Sequence, residues 1–391
     1  MKKNKRGNNE GCVYHRPDGR WSAIITIPQT GKRRTLYRKT RQEVAKKLNE
    51  TITKIDNKTY VEPSNIKVGE FLNTWLWKYE QNNVRPTTFS SYELHIRKHI
   101  IPALGNTKLQ NLNPDQIQDF INTLQEKGLS PKTIRNIHNT LLLAMNQALA
   151  NNILTRNVCQ NVSLPRREKP EIRVLSQLEQ NTLLRAIEGE KSEMAVVLDL
   201  STGLRLGELL ALTWDDIDLE NGVIRITKSL YRIQTKQQSY EEGQERTKLV
   251  IQPVKTQNGV RSVPIPANVL IKLIQHKTKQ LNDKNEYENK AFGDYNPINY
   301  VFCSSVGTPI EPRSLIRSFH RMVKNAGINK ANIHSLRHTY ATRLLEAGVA
   351  PKIVQELLGH SSITITLDTY THVLPETKTE AIAKLDQFFC Q

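Results

Sequence analysis

The sequence has few cysteines, four in 391 residues, and no two of them (Cys12, Cys159, Cys303, Cys390) form a C-x-x-C pair. That spacing argues against a zinc site or a disulfide framework, and it suits a reducing cytoplasm. Long apolar runs are missing too. The longest resemble Leu141-Leu142-Leu143-Ala144-Met145, far short of the roughly 20 residues that cross a bilayer. No apolar stretch follows the basic start Met1–Arg6, so no secretory signal is expected. There is no G-x-x-x-x-G-K-[ST] loop and no acidic triad, so nothing announces a nucleotide- or metal-driven reaction. Internal repeats and low-complexity tracts are also absent.

What is abundant is positive charge. The formal net charge is +18, with hydrophobic content of 38% and charged content of 24%. Those fractions fit a folded chain, and 391 residues are enough for two or three cores. A surplus this large predicts a polyanionic partner, nucleic acid first. Plain solubility is the bland alternative, and the distribution opposes it. Residues 1–60 carry 16 Lys and Arg against 5 Asp and Glu, a surplus of 11 in the first sixth of the chain.

Three regions follow, and together they predict a multidomain α+β protein. Residues 1–60 read as a small three-stranded sheet with one helix. Trp21–Ile27 and Arg33–Arg38 have strand character, and a short strand precedes the Asp18-Gly19 turn. Thr40 caps a helix with Glu43 three residues on, and Val44, Leu48, Ile52 and Ile55 form its apolar stripe. The open face of the sheet is expected to carry Arg16, Arg20, Arg33, Arg34 and Arg38, a surface suited to a DNA groove. Residues 65–165 read as all-helical: Val68–Glu80, Pro86–Ile100, Pro114–Glu126 and Pro131–Ala150, with Asn113 and Ser130 as caps before first-position prolines. Arg97, Lys98, Lys132 and Arg135 would give this bundle a cationic face able to grip a duplex backbone; a bundle that touches no DNA fits equally well. Leu164–Glu171 is a polar, proline-containing linker. The third region, 173–391, opens on a Ser176/Glu179 capping box and mixes helices with strands at Gly222–Thr227, Lys248–Lys255, Arg261–Ile265 and Tyr300–Ser304. Residues 229–252 look like a polar insertion before or within a hairpin.

Three constellations in this third region hold reactive side chains. In Thr202-Gly203-Leu204-Arg205-Leu206-Gly207-Glu208, an arginine opens a leucine-rich helix with a carboxylate three residues on. That is either a surface ion pair worth little or a forked donor aimed at a phosphate. In His334-Ser335-Leu336-Arg337-His338, His334 and Arg337 share a helical face. The third is Leu358-Gly359-His360-Ser361-Ser362 followed by Thr369-Tyr370-Thr371-His372, with Tyr370 ten residues after His360. Asp215, Asp216 and Asp218 form a dense acidic run that reads as a turn before the Gly222 strand.

In order, context and spacing these pieces resemble the tyrosine recombinases, the family of phage integrases, conjugative-transposon integrases and Xer-type resolvases. The resemblance places the family's catalytic set at Arg205, Lys255, His334, Arg337, His360 and Tyr370, with Glu208 in support. Lys255 lies in Pro253-Val254-Lys255-Thr256-Gln257-Asn258-Gly259-Val260-Arg261-Ser262-Val263-Pro264, a strand, polar turn and strand ending in Arg-x-x-Pro; Lys248 and Lys228 compete for its role. The resemblance is strong from Arg173 to about Phe389, follows the pattern of a helical core-binding domain over 65–165, and is looser for an arm-type DNA-binding domain over 1–60. It implies that Tyr370 attacks a DNA phosphate to give a 3′-phosphotyrosyl link. Arg205, Arg337 and His360 would stabilise the charged phosphate, His334 would serve as base and Lys255 would protonate the leaving oxygen. It implies no cofactor, since the phosphodiester energy is kept in the tyrosyl bond. Its implied partners are double-stranded DNA at core and arm sites, three further copies in a tetramer, and an excisionase or host DNA-bending protein, at the bacterial nucleoid. Glu376–Phe389 would be a helix packed on a neighbouring protomer or on its own domain. A type IB topoisomerase and a DNA-binding regulator with a decayed site are the competing readings. The basic N-terminal sheet opposes the first, and six filled positions oppose the second.

Overall fold

The computed structural model describes residues 11–28, 31–57, 59–167, 172–235, 247–254, 257–289 and 295–370. They divide into two compact units, Met1–Glu168 and Lys169–Gln391.

The first unit opens on an antiparallel sheet of β1 (Cys12–His15), β2 (Trp21–Thr26) and β3 (Arg33–Arg38) in that order. Thr40 accepts from the Glu43 amide at 3.3 Å and starts α1 (Arg41–Asp56). Val44 and Leu48 of this helix bury against Ala23 and Ile25 of the sheet, with Leu36, Ile52 and Ile55 at the margin. The register corrects the expected basic face. Leu36 pairs with buried Ala23, and Arg34 and Arg38 fall on the same side as Leu36, because strand side chains alternate. Arg34 bonds the Tyr60 hydroxyl at 2.6 Å. Of the β3 arginines only Arg33 shares the outer face with Thr35 and Tyr37. Arg16 and Arg20 flank the first turn, and both stack on the Tyr37 ring, at 5.2 and 5.8 Å.

The rest of this unit is helical: α2 (Val68–Thr74), α3 (Pro86–His95), α4 (Ile101–Leu104), α5 (Pro114–Glu126) and α6 (Pro131–Ala150). Two expected helices are interrupted, since Trp75–Glu80 and Ile96–Ile100 continue α2 and α3 as π-helix. The proline-started helices α5 and α6, which also carry a capping side chain, begin and end where the sequence places them. Trp75, Leu76, Phe89, Ile117, Phe120, Ile137 and Leu141 anchor the bundle core. Arg97 is exposed and ion-paired with Glu93 at 2.6 Å, Lys98 and Lys132 are exposed, and Arg135 forks onto the Pro165 carbonyl at 2.9 and 3.1 Å.

The second unit contains α7 (Gln177–Ala186), α8 (Glu193–Thr202), α9 (Leu206–Ala211), α10 (Ala267–Asn289), α11 (Pro312–Asn325), α12 (Ile333–Glu346), α13 (Pro351–Leu358) and α14 (Ile363–Tyr370). Helix α8 is buried from Met194 through Leu200 and runs through the core with Leu209, Leu210, Phe319 and Leu336 around it. One small sheet orders β4 (Ile217–Asp218), β5 (Val223–Ile226) and β8 (Arg261–Pro264). A separate antiparallel ribbon joins β6 (Lys228–Gln234) to β7 (Thr247–Pro253). The expected polar insertion is therefore partly a strand, built on Leu230 and Ile233, both buried. Tyr300–Ser304 is not a strand. Val301 and Phe302 are buried, but Tyr300 and Cys303 make only isolated bridges, to Thr213 and Pro309. The acidic run is not itself the expected turn: Asp215 and Asp216 lie in a 3-10 helix (Trp214–Asp216) and Asp218 ends β4, just before the turn that leads to Gly222. Asp216 bonds the Thr213 amide at 2.8 Å, and Asp218 accepts from Glu220 and Asn221.

Candidate active site

Two helix ends build the site. The chain leaves α8 through Gly203, which adopts φ 61° and whose amide bonds the Asp199 carbonyl at 2.8 Å. A Cβ there would lie 2.4 Å from the Tyr340 ring. This turn delivers Arg205 to the N-cap of α9 in an extended conformation. Glu208, at the third helical position, accepts the Arg205 amide at 3.0 Å and its guanidinium at 2.7 Å. The pair is a helix cap and an ion pair at once. The Arg205 side chain stays 40% exposed, whereas Glu208 is 3% exposed.

The second end is that of α13. Gly359 closes it at φ 64°, and three successive carbonyls of this turn each take one guanidinium. Leu357 accepts from Arg261 at 2.7 Å, Leu358 from Arg337 at 2.7 Å and Gly359 from Arg205 at 2.9 Å. The last carbonyls of a helix lack intrahelical donors and form the negative pole of its dipole, so they hold cations well. Arg337, on α12, spans both ends: its other terminal nitrogen reaches the Gly203 carbonyl at 2.6 Å. It is buried, and Arg205 is the more open of the two arginines.

His360 follows Gly359 directly. Its amide bonds the Gln355 carbonyl, and its Nδ1 lies 2.9 Å from Thr366 Oγ1 on α14. That helix ends at Tyr370, about one turn beyond Thr366; the Tyr370 side chain lies outside the described residues. Burial and the nearby Arg337, Arg205 and Arg261 charges push His360 down to about 3. His338 is pushed down to about 4 by burial, His334 and Arg337. His334 packs edge-on against His338 with ring centroids 4.7 Å apart. It too is lowered, by burial and by Arg337 and Arg205, although the residue as a whole is exposed. All three imidazoles are thus neutral at neutral pH.

The structure brings Arg205, Glu208, Arg337 and His360 together. Lys255 lies outside the described residues, as does the expected helix Glu376–Phe389. Of the rival lysines, Lys228 is bound to Asp216 at 2.7 Å and to Thr213 at 2.9 Å, and Lys248 is exposed on β7. Two members were not anticipated. Arg261, the arginine of the Arg-x-x-Pro strand, bonds Glu208 at 2.7 Å. Asp199 is buried in α8 with Oδ1 unpartnered. Burial raises its pKa against the pull of Arg337, and Glu208 adds to the rise. A lone carboxylate inside an apolar helix was the available signal for it. Among the described residues no group of His, Cys, Asp and Glu side chains could hold a metal ion.

Comparison with known proteins matches residues 173–377 to the phage integrase family and residues 67–125 to the phage integrase N-terminal SAM-like domain. A tyrosine recombinase XerC-like protein of Caldanaerobacter subterraneus subsp. tengcongensis is 33% identical, covering 95% of this chain and 96% of the relative. The ICEBs1 integrase of Bacillus subtilis is 30% identical over 77% of this chain and 78% of its own length. Among solved structures, a Tn1549 transposon integrase in complex with a circular intermediate DNA superposes with TM-score 0.65 at 25% identity, over 82% of this chain and 99% of that one. A lambda integrase dimer bound to a core site, at 19% identity and TM-score 0.57, covers 94% of this chain and 96% of its own, and shares the fold.

Proposed function

The chain belongs to the phage integrase family of tyrosine recombinases and catalyses site-specific DNA strand transfer for a mobile element; we propose that Tyr370 is its nucleophile and that the arginine cluster at the end of α13 is its phosphate site. The observation that carries this reading is the convergence of Arg205 and Arg337 on one helix end, which runs through His360 into the helix that finishes at Tyr370.

In this mechanism the Tyr370 oxygen attacks the scissile phosphorus. A bond forms from the phenolic oxygen to the 3′-phosphate, and the bond to the 5′-oxygen breaks. A phenol near pKa 10 must lose its proton on the way, and neutral His334 accepts it. Lys255 donates a proton to the leaving 5′-oxygen. Arg205 and Arg337 hold the non-bridging oxygens, and His360 adds a neutral donor. Attack by a 5′-hydroxyl of the partner duplex runs the same steps backwards, with no external energy source.

The remaining assignments form part of the proposal. Residues 1–60 act as an arm-type DNA-binding domain, 65–165 as the core-binding domain and 173–391 as the catalytic domain. Double-stranded DNA is the partner, bound by a tetramer, with an excisionase or host DNA-bending protein assisting, in the bacterial cytoplasm. The charge of the chain supports the DNA partner.

The test is covalent trapping on a nicked duplex carrying an end of the element. The wild-type chain should form a protein–DNA adduct stable to denaturant, and Tyr370→Phe should bind the same duplex and form none. An adduct that persists in Tyr370→Phe would move the nucleophile elsewhere.

A further inference from the structure

We propose that Arg261 is a positioning residue for the reaction, acting on the phosphate through Glu208 and Arg205; this rests on the recombinase reading of the site. Arg261 opens β8 and is 6% exposed. Its guanidinium reaches Glu208 Oε2 at 2.7 Å, the Leu357 carbonyl at 2.7 Å and the Gly259 carbonyl at 3.2 Å. Glu208 is therefore clamped from both sides, with Oε1 on the Arg205 guanidinium and Oε2 shared between Arg261 and the Arg205 amide. Burial opposes ionisation of this carboxyl, and the bond and charge of Arg261, followed by the charge of Arg205, outweigh it and hold the pKa below the usual range.

Two consequences follow from charge and geometry. Arg205 and Glu208 alone would form a neutral pair, with little field left for a phosphate. With Arg261 the trio is net cationic, so the positive charge of Arg205 remains available to an incoming anion. The three acceptors of Arg261 also fix the carboxylate against the end of α13, and the carboxylate fixes the plane of Arg205. A guanidinium held in this way loses little freedom when it meets the transition state.

The experiment measures single-turnover adduct formation at saturating DNA, together with DNA affinity and Tm, for full-length wild type, Arg261→Gln, Arg261→Lys, Glu208→Gln and the double variant Glu208→Gln with Arg261→Gln. Arg261→Gln should slow cleavage by about 10- to 100-fold and leave DNA affinity within about threefold. In the Glu208→Gln background the same change should cost about threefold or less, because the intermediary is gone. Arg261→Lys keeps the charge without the fork and should fall between wild type and Arg261→Gln; if Arg261→Gln does not fold, Arg261→Lys decides. Wild-type cleavage by Arg261→Gln or, failing that, by Arg261→Lys overturns the role, as does an equal loss in both backgrounds, the mark of a purely structural residue. A wild-type chain that forms no adduct overturns the recombinase reading itself, and this proposal with it.

Discussion

The histidines of the site set its response to acid. His360 and His338 are pushed down to about 3 and about 4 by burial and neighbouring cations. In the unfolded chain both return to about 6.5. Between about pH 4 and 6.5 the unfolded chain therefore binds more protons than the folded one, so stability rises with pH across that window and is lost on acidification. We expect the Tm of the protein to fall steadily from pH 7 to pH 4.5, and the fall to be shallower in His338→Gln. A Tm independent of pH over that range would contradict the neutral, buried imidazoles. The same effects keep the three rings uncharged beside the arginines at neutral pH, the state that the base role proposed for His334 requires.

At the scale of the element, the helices with a proline at the first position and a capping side chain before it are the most literal translation of sequence into structure. Ser130 accepts from the Thr133 amide at 3.2 Å and starts α6. Ser130→Ala should destabilise the helical region by about 1 kcal/mol, read as faster hydrogen exchange in the first turn of α6. Elements without such local signals were harder to read. In the β6–β7 ribbon, β7 follows the expected strand at Lys248–Lys255 but β6 is hidden, because a polar stretch separates the partners and, among its described residues, Leu230 and Ile233 are the only buried apolar side chains. Tyr300–Ser304 misled in the other direction, since a short apolar run serves equally well as a buried loop packed on α10, where His276 bonds the Val301 carbonyl. In the site, the motif residues were legible through their order and spacing. What they bond to was not, because the acceptors are carbonyls brought from distant segments. Arg261 and Leu357 lie 96 positions apart, and no local pattern encodes that meeting.

For the whole molecule the governing quantity is charge. A surplus of +18, with 16 basic residues against 5 acidic in positions 1–60, makes DNA binding strongly dependent on salt, with a slope of roughly −0.9 per phosphate neutralised. Deleting residues 1–60 should abolish binding to distal arm sites, lower the salt slope and leave core-site cleavage by the remainder within about threefold, as measured by filter binding and adduct formation. Equal loss at both kinds of site would remove the arm assignment. The proposed phosphate site, by contrast, depends on shape. Its three guanidinium groups end on main-chain oxygens of Leu357, Leu358 and Gly359, and every residue type carries such an oxygen. A mutational screen for the partners of these arginines would therefore return no acceptor side chain at 357–359. It would return the glycine that bends the chain there, so this part of the enzyme's chemistry is inherited as a contour of the backbone.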